Sequence, residues 1–340
     1  MATTYKQAGV NIRAGTDAVN RCKEAIRATH GPNVICGVGA FGGGILLPDG
    51  KTVLVQSIDG VGTKIKLAVA AGDCSTVGAD IVHHSVNDIV VQGASAYTFL
   101  DYFATAELDP EQMSQAVIGA ANACKALGIA MTGGETAEMP GVYMPDVFDL
   151  AGCISGLVDR DKVITGEDIK VGDMLIGIGS NGAHTNGYSL IRKLFDKQNL
   201  TVNDMAPWNP AATVGEEVLR VHRCYDRPMK IMINAGVIRG AAHITGGGIP
   251  GNLIRVLPRG CRAMVDFSAW EKQSLFGWIQ EVSGNKLPKM LEAFNMGIGM
   301  IVIVRKEDAD NVLTHLTVGC NEKAWVIGEI IRGRRSVKVV

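Results

Sequence analysis

Residues 57–64 combine a carboxylate, two glycines, a hydroxyl and an ammonium group directly after an apolar segment. Glycines let backbone N–H groups approach anionic oxygens closely. Lys64 can offset phosphate charge, and Asp59 can bind Mg²⁺ while water molecules complete its octahedral shell. These residue types at this spacing predict a site for a phosphate group and its metal ion, and hence a nucleotide enzyme.

An ordinary tight turn is the alternative, since Asp-Gly after a β-branched run is a common hairpin signal. Three further segments favour the metal site, because each places acidic side chains in a polar or glycine-rich stretch after an apolar run. They are residues 85–88, 101–102 and 133–141. Together the four segments predict acidic loops that cluster around a metal ion.

The helix predicted over residues 109–127 has the clearest boundaries among the elements that would position these segments. Asp109 can cap it, Pro110 stands at the first helical position, and Gly128 ends it. Strands and helices alternate without strict βαβ regularity, so we predict an α+β fold with mixed sheets. The other predicted elements are strands over 52–58, 96–100, 150–158, 174–179, 296–304 and 324–331, and helices over 187–195, 216–219, 230–235 and 307–316.

The length of 340 residues exceeds what a single hydrophobic core usually supports. The best candidate for a domain boundary is the stretch of residues 159–173, which is charged and has few apolar side chains. We therefore predict two domains, residues 1–170 and 171–340.

Composition excludes several classes of protein. The net charge of −1 provides no basic stripe for nucleic acid, and no apolar run is long enough to span a bilayer. The N-terminus lacks the apolar stretch of a secretory leader, and the eight cysteines contain no C-x-x-C pair. We expect a cytoplasmic protein with reduced thiols and without zinc, nucleic-acid or membrane partners.

Residues 37–42 match the G-x-G-x-x-G pattern of dinucleotide-binding proteins, and Asp59 follows at a suitable distance. The context does not fit, because Pro48-Asp49-Gly50 predicts a turn between strands where a helix should begin. A dehydrogenase is therefore disfavoured. Two interpretations of residues 37–42 remain: a glycine loop that folds over phosphates, and an ordinary surface loop. No segment has the spacing of a Walker A motif.

Five motifs in series resemble one enzyme family. They are residues 59–64, 86–94, 133–141, 184–190 and 243–248. In this order they are similar to the aminoimidazole ribonucleotide synthetases, also called phosphoribosylformylglycinamidine cyclo-ligases. The resemblance extends from about residue 5 to residue 331, and the ordered set of motifs makes it highly specific.

The resemblance implies a reaction and a fold. Family members use ATP and Mg²⁺ to convert formylglycinamidine ribonucleotide to 5-aminoimidazole ribonucleotide, ADP and phosphate in purine biosynthesis. ATP phosphorylates the formyl oxygen, an amidine nitrogen then attacks the formyl carbon, and phosphate leaves. Catalysis of such a phosphoryl transfer depends mainly on positioning of the reactants and on neutralisation of charge. The implied fold has an N-terminal mixed sheet that forms a barrel across a homodimer, and a C-terminal mixed α/β sandwich.

The same resemblance implies the nucleotide and metal ligands. Asp59, Asp88 and Glu135 would bind Mg²⁺ or its water shell, with Asp101 and Asp80 as further candidates. Lys64 and Thr63 would meet the ATP phosphates, with Lys64 also a catalytic candidate. The implied ATP-binding residues are Gly42, Gly43, Asp59, Gly60, Gly62, Thr63, Lys64, Asn87, Asp88, Asp101, Gly134 and Glu135.

The resemblance implies that two loops of the second half bind the ribonucleotide and its 5′-phosphate. Each loop lies before a predicted helix, where a phosphate or a small polar ligand can meet free N–H groups. Either His184 or His243 can move a proton during ring closure. The implied substrate-binding residues are His184, Thr185, Asn186, Gly187, His243, Thr245, Gly246 and Gly247. The remaining histidines, at positions 30, 83, 84, 222 and 315, receive no functional role.

Other enzymes of the same ATP-binding superfamily are the nearest alternative: formylglycinamidine ribonucleotide synthetase, selenophosphate synthetase and thiamine-monophosphate kinase. Length disfavours the large form of the first, and Cys22 lies in a helical segment rather than in the glycine-rich loop that the second requires. A noncatalytic nucleotide sensor is the alternative from another class, although a sensor need not keep several metal-binding carboxylates. Lys23 and Arg27 either reach ATP or face solvent.

Overall fold

The computed structural model describes residues 3–340, in which two six-stranded mixed sheets carry helices. Met1 and Ala2, with which the predicted first domain begins, lie outside the described residues. The predicted division after residue 170 falls between the last strand of the first sheet and the first strand of the second. No helix within residues 3–340 is long and apolar enough to cross a membrane.

The first sheet has the strand order β1-β2-β3-β6-β4-β5, in which β4 and β5 are parallel and the other neighbours are antiparallel. Side chains alternate between the two faces along each strand. The strands are β1 (Val34–Cys36), β2 (Gly43–Leu46), β3 (Thr52–Gly60), β4 (Ser95–Thr105), β5 (Ala130–Glu138) and β6 (Phe148–Asp159).

Two long helices cover one face of this sheet. The apolar side chains beneath them include Val55, Phe99, Phe103 and Ile154, all buried. This burial is the main stabilising contribution to the first domain. The helices of this domain are α1 (Ile12–Arg27), α2 (Ile65–Ala71), α3 (Ser75–Val90) and α4 (Pro110–Leu127), of which α3 and α4 form the covering layer.

Helix α4 begins and ends as predicted. The Asp109 side chain accepts hydrogen bonds from the N–H groups of Glu111 and Gln112, Pro110 is the first helical residue, and Gly128 ends the helix with a φ of 70°. The left-handed conformation of Gly128 is readily adopted only by glycine. The predicted helix over residues 109–127 is confirmed.

The opposite face of the first sheet is uncovered. Ile58 on β3 and Tyr97 and Leu100 on β4 have 74 %, 64 % and 43 % of their surface exposed. Apolar side chains in this number on one sheet face are typical of a surface that another structure covers.

The second sheet has the order β10-β12-β7-β13-β11-β14, with β8 and β9 paired separately. Strand β12, which lies between β10 and β7, is buried along its whole length. The strands are β7 (Met174–Gly179), β8 (Met205–Ala206), β9 (Asn209–Thr213), β10 (Ile238–His243), β11 (Cys261–Val265), β12 (Ile298–Val304), β13 (Ala324–Arg332) and β14 (Ser336–Val339). The helices are α5 (Tyr188–Gln198), α6 (Val214–Val218), α7 (Asp226–Asn234), α8 (Gly248–Leu253), α9 (Ser274–Ser283), α10 (Leu287–Ala293) and α11 (Ala309–Thr314).

Strands β7 and β10 both pair antiparallel with β12, so they run parallel to each other. Their carboxyl ends therefore reach the same edge of the second sheet. The loops that follow them, which contain His184 and His243, are brought together by this topology alone.

The predicted α+β fold with mixed sheets is confirmed, but the predicted acidic loops are wrong. Residues 85–88 lie inside α3, Asp101 lies inside β4, and residues 133–138 belong to β5. Most of α3 is buried, so its sequence lacks the amphipathic period that reveals a helix.

Helices α3 and α4 touch through two glycines, which gives a prediction about stability. A Cβ atom at Gly78 would lie 1.9 Å from the carbonyl oxygen of Ala116, and one at Gly119 would lie 2.1 Å from that of Ser75. We expect Gly78→Ala to force the helices apart and to lower the free energy of unfolding by about 1–3 kcal/mol. Urea denaturation measures the change.

The matched control is Gly277→Ala in α9, where a Cβ atom meets no heavy atom within 4 Å. Alanine there should leave stability unchanged or raise it by up to about 1 kcal/mol. Equal stability of the two variants would contradict the close packing of α3 on α4.

Candidate active site between the two domains

The carboxyl-terminal half of α3 joins the first domain to the second. The Asn87 side chain accepts a hydrogen bond from the N–H of Tyr225 at 2.9 Å and donates one to the carbonyl oxygen of Arg223 at 2.8 Å. His83 Nδ1 lies 2.7 Å from the carbonyl oxygen of His222. Asn87, implied as an ATP-binding residue, is thus fully buried and occupied by the domain contact.

A line of polar contacts crosses this interface. His84 Nε2 lies 2.8 Å from Asp59 Oδ2 at the end of β3. On the other side of the imidazole, His84 Nδ1 lies 2.9 Å from Thr185 Oγ1. Thr185 Oγ1 in turn lies 3.3 Å from His222 Nδ1, so the line passes from the first domain into the second.

The line then returns to the first domain. His222 Nε2 and His243 Nε2 are 3.0 Å apart, and His243 Nδ1 lies 2.8 Å from Asp88 Oδ1. Asp88 follows His84 by one helical turn, which places both on one face of α3. The interdomain network, as we name it, consists of Asp59, His84, Thr185, His222, His243 and Asp88.

An ionised Asp88 fixes the direction of these hydrogen bonds, because a carboxylate only accepts. His243 then donates from Nδ1 and accepts at Nε2 from His222. His222 accepts at Nδ1 from the Thr185 hydroxyl, whose oxygen accepts from His84 Nδ1–H. This assignment follows from the pattern of contacts. From His84 Nδ1 to Asp88, each contact then joins one donor to one acceptor.

Burial and the carboxylates give the histidines different charges. Burial lowers the pKa of His184 and His222 well below the ordinary value, so both imidazoles are neutral. Burial also lowers the pKa of His243 despite its bond to Asp88. For His84, burial is outweighed by the charges of Asp59 and Asp88, which raise its pKa to about 9.

His184 lies beside the network without belonging to it. Its imidazole stacks on that of His222 with ring centres 4.0 Å apart, and its Nδ1 is buried with no hydrogen-bond partner within residues 3–340. Gly299 on β12 makes room for it, since a Cβ atom there would lie 2.6 Å from His184 Cε1 and 2.0 Å from Tyr225 Oη.

The two predicted substrate loops meet at the sheet edge. A Cβ atom at Gly246 would lie 3.4 Å from Asn186 Nδ2, so the loops after β7 and β10 are in contact. Gly187 and Gly247 have φ values of 82° and 94°, and no side chain caps the N-terminus of α5. Thr245 Oγ1 lies 3.4 Å from Asn252 Oδ1. Backbone N–H groups at the start of α5 are thus available to an anion. In the loop after β10, the N–H groups of Gly247 and Gly248 already donate to the carbonyl oxygens of Glu292 and Thr245, so the predicted free N–H groups are absent at these two residues.

Lys64 is placed differently from its predicted position. Its ammonium lies 2.7 Å from Asp80 Oδ2, and neither side chain has any exposed surface. It also donates to the carbonyl oxygen of Arg220 at 2.8 Å, while Asp80 accepts from the N–H of His222 at 2.7 Å. Burial lowers the pKa of Lys64 and raises the pKa of Asp80. The charge of Asp80 opposes the first shift, and the charge of Lys64 opposes the second.

The rest of the phosphate motif stays accessible. Gly62 and Thr63 are exposed, and Thr63 Oγ1 lies 3.1 Å from Ser189 Oγ in the second domain. Gly60 ends β3, where its N–H is bonded to the Asp59 carboxylate at 2.8 Å. The motif therefore forms a rim around the domain interface, with the Lys64 side chain beneath it.

The structure separates Glu135 from the other predicted metal ligands. Asp59, Gly152, Asp101 and Gly134 form one row across β3, β6, β4 and β5. Glu135 is one residue further along β5, and because side chains alternate it faces away from the side that carries Asp59. Asp101 remains on the side of Asp59, two strands away, and burial raises its pKa.

The glycine-rich loop is anchored by the second domain. Arg255 donates to the carbonyl oxygens of Gly39 and Ala40 at 3.1 and 2.6 Å, and its guanidinium lies 3.9 Å above the Phe41 ring. Gly42 is buried against the Gln92 side chain, and Gly43 is already part of β2. This packing holds the loop in place within the described chain.

A basic cavity of about 470 Å³ lies beside this loop. Its cationic side chains come from both halves of the chain, and Glu167 is its one carboxylate among the described lining residues. An anionic ligand would be favoured here. The cations are Lys23, Arg27, Arg255 and Arg335.

The sequence reasoning missed His84 and His222, which it assigned no role, and the pairing of Asp80. The spacing of His84 and Asp88 by four residues was a usable signal once the segment is seen as a helix. No signal in the sequence connects His222 to the site, because its contacts are made by residues more than 20 positions away.

Comparison with known proteins decides the family. The chain matches the AIR synthase related protein models, over residues 42–158 for the N-terminal domain and 170–340 for the C-terminal domain. It is 46 % identical over 331 residues to the phosphoribosylformylglycinamidine cyclo-ligase of Trichlorobacter lovleyi, covering 96 % of this chain and 94 % of that protein. The chain belongs to the phosphoribosylformylglycinamidine cyclo-ligase family. The family and ligase class predicted from the motifs are confirmed.

Solved structures share the fold at low identity. The HypE-HypF complex contains a chain similar to this one with a TM-score of 0.67 and 16 % identity, covering 95 % of both chains. AaThiL in complex with AMPPCP and TMP has a TM-score of 0.65 and 14 % identity, covering 95 % of this chain and 92 % of that one. The two-domain fold with mixed sheets implied by the motifs is confirmed.

The buried ion pair gives a prediction that separates structure from catalysis. We expect Lys64→Met to lower the free energy of unfolding by about 3–5 kcal/mol, because it leaves Asp80 buried without its partner. Urea denaturation followed by circular dichroism measures the loss. The double variant Lys64→Met with Asp80→Leu should recover part of it.

Lys66→Met is the control, since this partly exposed lysine lies two positions away. It should change stability by no more than about 0.5 kcal/mol. A fully stable Lys64→Met protein that lacks only nucleotide-dependent activity would contradict the structural role and restore the predicted phosphate contact.

Proposed function

We propose that this protein is an ATP-dependent cyclo-ligase that closes the imidazole ring of 5-aminoimidazole ribonucleotide from formylglycinamidine ribonucleotide. The observation that carries the proposal is the meeting of four of the five motif segments of this family at one interdomain site. Asp59, Asp88, His184 and His243 come from four separate motifs and lie in or beside the interdomain network.

ATP is the proposed phosphoryl donor. AaThiL, which shares the fold, was crystallised with AMPPCP, a nucleotide analogue. In this chain Gly62 and Thr63 are exposed at the rim, and the basic cavity beside the glycine-rich loop supplies cations for phosphate oxygens. Lys23 and Arg27 line that cavity, which supports their reaching the nucleotide.

Mg²⁺ fits the carboxylate at the end of β3. Asp59 keeps 42 % of its side-chain surface exposed, so an oxygen remains available to a metal ion that brings its own waters and phosphates. Asp101 lies on the same side of the sheet as a further oxygen donor. When bound, Mg²⁺ would neutralise charge on the transferred phosphoryl group.

The loops after β7 and β10 are the proposed ribonucleotide site. The free N–H groups at the start of α5, next to the left-handed Gly187, suit its 5′-phosphate. Thr185 and His243 lie in the network, directly beside this site. A substrate at the interface would thus have phosphate contacts on one side and titratable groups on the other.

His243 is the proposed proton-transfer group. It is neutral because burial lowers its pKa, and Asp88 holds its orientation through Nδ1. His243 can take up a proton at Nε2 only when the hydrogen bond that His222 donates to this atom is broken. The His243 imidazolium that results is stabilised by the Asp88 carboxylate. His184 remains a candidate for contact with substrate through its unpartnered Nδ1.

A homodimer is the proposed assembly, because the uncovered face of the first sheet carries Ile58, Tyr97 and Leu100. A second copy would cover this face with the same side chains, as a two-fold interface requires. A cytoplasmic location stays a prediction from the sequence.

Loss of the β3 carboxylate tests the catalytic proposal. We expect Asp59→Asn to lower kcat/KM about 10²–10³-fold, because several kcal/mol of metal-dependent charge stabilisation would be lost. ADP release and aminoimidazole formation, followed together with and without the ribonucleotide, measure it. Circular dichroism should show an unchanged fold.

Asp168→Asn, which changes an exposed carboxylate in the segment between the sheets, is the control and should retain activity. ATP turnover without aminoimidazole formation in the wild-type protein would indicate a sibling enzyme instead. Absence of both products would favour the nucleotide sensor.

A charge on the uncovered sheet face tests the dimer. We expect Tyr97→Lys to raise the dimer dissociation constant at least about tenfold, since a buried ammonium would face an apolar partner surface. Sedimentation equilibrium measures it. Val318→Lys, at a 79 % exposed position outside this face, should leave the constant unchanged. A monomeric wild-type protein at micromolar concentration would contradict the proposal.

A further inference from the structure

We propose that His222 is a positioning residue that sets the placement of the two proposed ribonucleotide loops relative to each other. Its imidazole contacts both loops, and its backbone is held by the first domain. The effect of these contacts on ring closure rests on the proposed function.

The side chain of His222 contacts each loop with a different part of its ring. The face of the ring stacks on His184, with ring centres 4.0 Å apart and planes inclined by 24°. Nδ1 lies 3.3 Å from Thr185 Oγ1 in the same loop, and Nε2 lies 3.0 Å from His243 Nε2 at the end of β10. The ring thus fills the space between the loops, and none of its surface is exposed.

The first domain holds the backbone of His222 at both of its polar groups. The N–H donates to Asp80 Oδ1 at 2.7 Å, and the carbonyl oxygen accepts from His83 Nδ1 at 2.7 Å. Asp80 and His83 lie within one turn of each other on α3. Side chains of this one helix therefore determine where the imidazole of His222 stands.

The segment around His222 is held along its length. Residues 220–223 lie outside the helices and strands, yet each of their carbonyl oxygens accepts a hydrogen bond from a side chain. Buried backbone groups in an irregular segment need such partners. The segment is therefore a fixed support for the imidazole. The donors are Lys64, Asn181, His83 and Asn87.

This support bears on the reaction because His184 and His243 belong to separate loops. Asp88 holds His243 at Nδ1 alone, and a ring held at one nitrogen can still tilt about that contact. His222 adds a second contact at Nε2, so the lone pair of His243 keeps its direction until a substrate N–H replaces the N–H of His222. A misplacement of about 1 Å near the reacting atoms can cost about 10²-fold in rate.

A residue that only fills space between the loops is the alternative. Space filling requires a side chain of similar volume at position 222 and no particular polar atom. Positioning of His243 requires an N–H donor at the place of His222 Nε2. The two roles therefore differ in which substitutions they tolerate.

Three substitutions separate these roles. His222→Phe keeps a ring that can stack on His184 and removes both nitrogens, whereas His222→Gln places an amide N–H near the position of Nε2 and His222→Asn is too short to reach His243. We expect His222→Phe and His222→Asn to lower kcat for aminoimidazole formation about 10–100-fold and to raise KM for the ribonucleotide, with KM for ATP unchanged. His222→Gln should restore kcat to within about fivefold of the wild-type value.

NMR of ¹⁵N-labelled histidine gives a second measurement, which needs no substrate. In the wild type, His243 should be the Nδ1–H tautomer with a hydrogen-bonded Nε2. His222→Phe should shift the Nε2 resonance of His243 toward that of a free lone pair, and His222→Gln should leave it nearly in place. His315→Phe, at a partly exposed position outside the interdomain network, is the control and should change neither the resonance nor the kinetic constants.

Circular dichroism confirms that each variant is folded, and His222→Asn keeps the test valid if His222→Phe does not fold. Wild-type kcat and KM in folded His222→Phe and His222→Asn would overturn the proposal, as would equal losses in His222→Gln and His222→Phe. An unchanged His243 resonance in His222→Phe would also overturn it. A protein without cyclo-ligase activity whose His243 resonance still depends on the donor at position 222 would confirm the positioning contact and refute only the proposed function.

Discussion

The buried contact between Lys64 and Asp80 is the constraint on which the site depends. Each partner also bonds to the backbone of the second domain, Lys64 to the carbonyl oxygen of Arg220 and Asp80 to the N–H of His222. Two opposite charges removed from water tolerate little displacement, because each would lose its compensation. The segment that carries His222 is thereby fixed against α3, and the histidines of both domains are brought to hydrogen-bonding distance.

The chemistry of the site follows from this exclusion of water. Burial lowers the pKa of an imidazole, and one neighbouring carboxylate does not reverse this for His243, which contacts Asp88. His84 faces both Asp59 and Asp88, and their two charges raise its pKa above the ordinary value. One charged and several neutral imidazoles therefore coexist within a few ångströms.

Local elements of the fold could be predicted from the sequence, and the contacts between them could not. Helix α4 was predicted from Asp109, Pro110 and Gly128, because a cap, a first-turn proline and a terminal glycine act through nearby backbone atoms. Helix α3 was missed because its burial hides the amphipathic pattern. The ordered motifs predicted the family and selected Asp59, Asp88, His184 and His243 as site residues. The burial of Lys64 and the contacts of His222 depend on partners distant in sequence, so they could not be predicted.

The sequence separation of these contacts determines when the site can form. The Lys64 and Arg220 contact spans 156 positions, and the His243 and Asp88 contact spans 155. Closing loops of this length is entropically costly and slows folding. During synthesis the first domain leaves the ribosome with a lysine and an aspartate whose backbone partners do not yet exist. The assembled network is therefore a late event in folding, and a nascent chain shorter than about 243 residues lacks it.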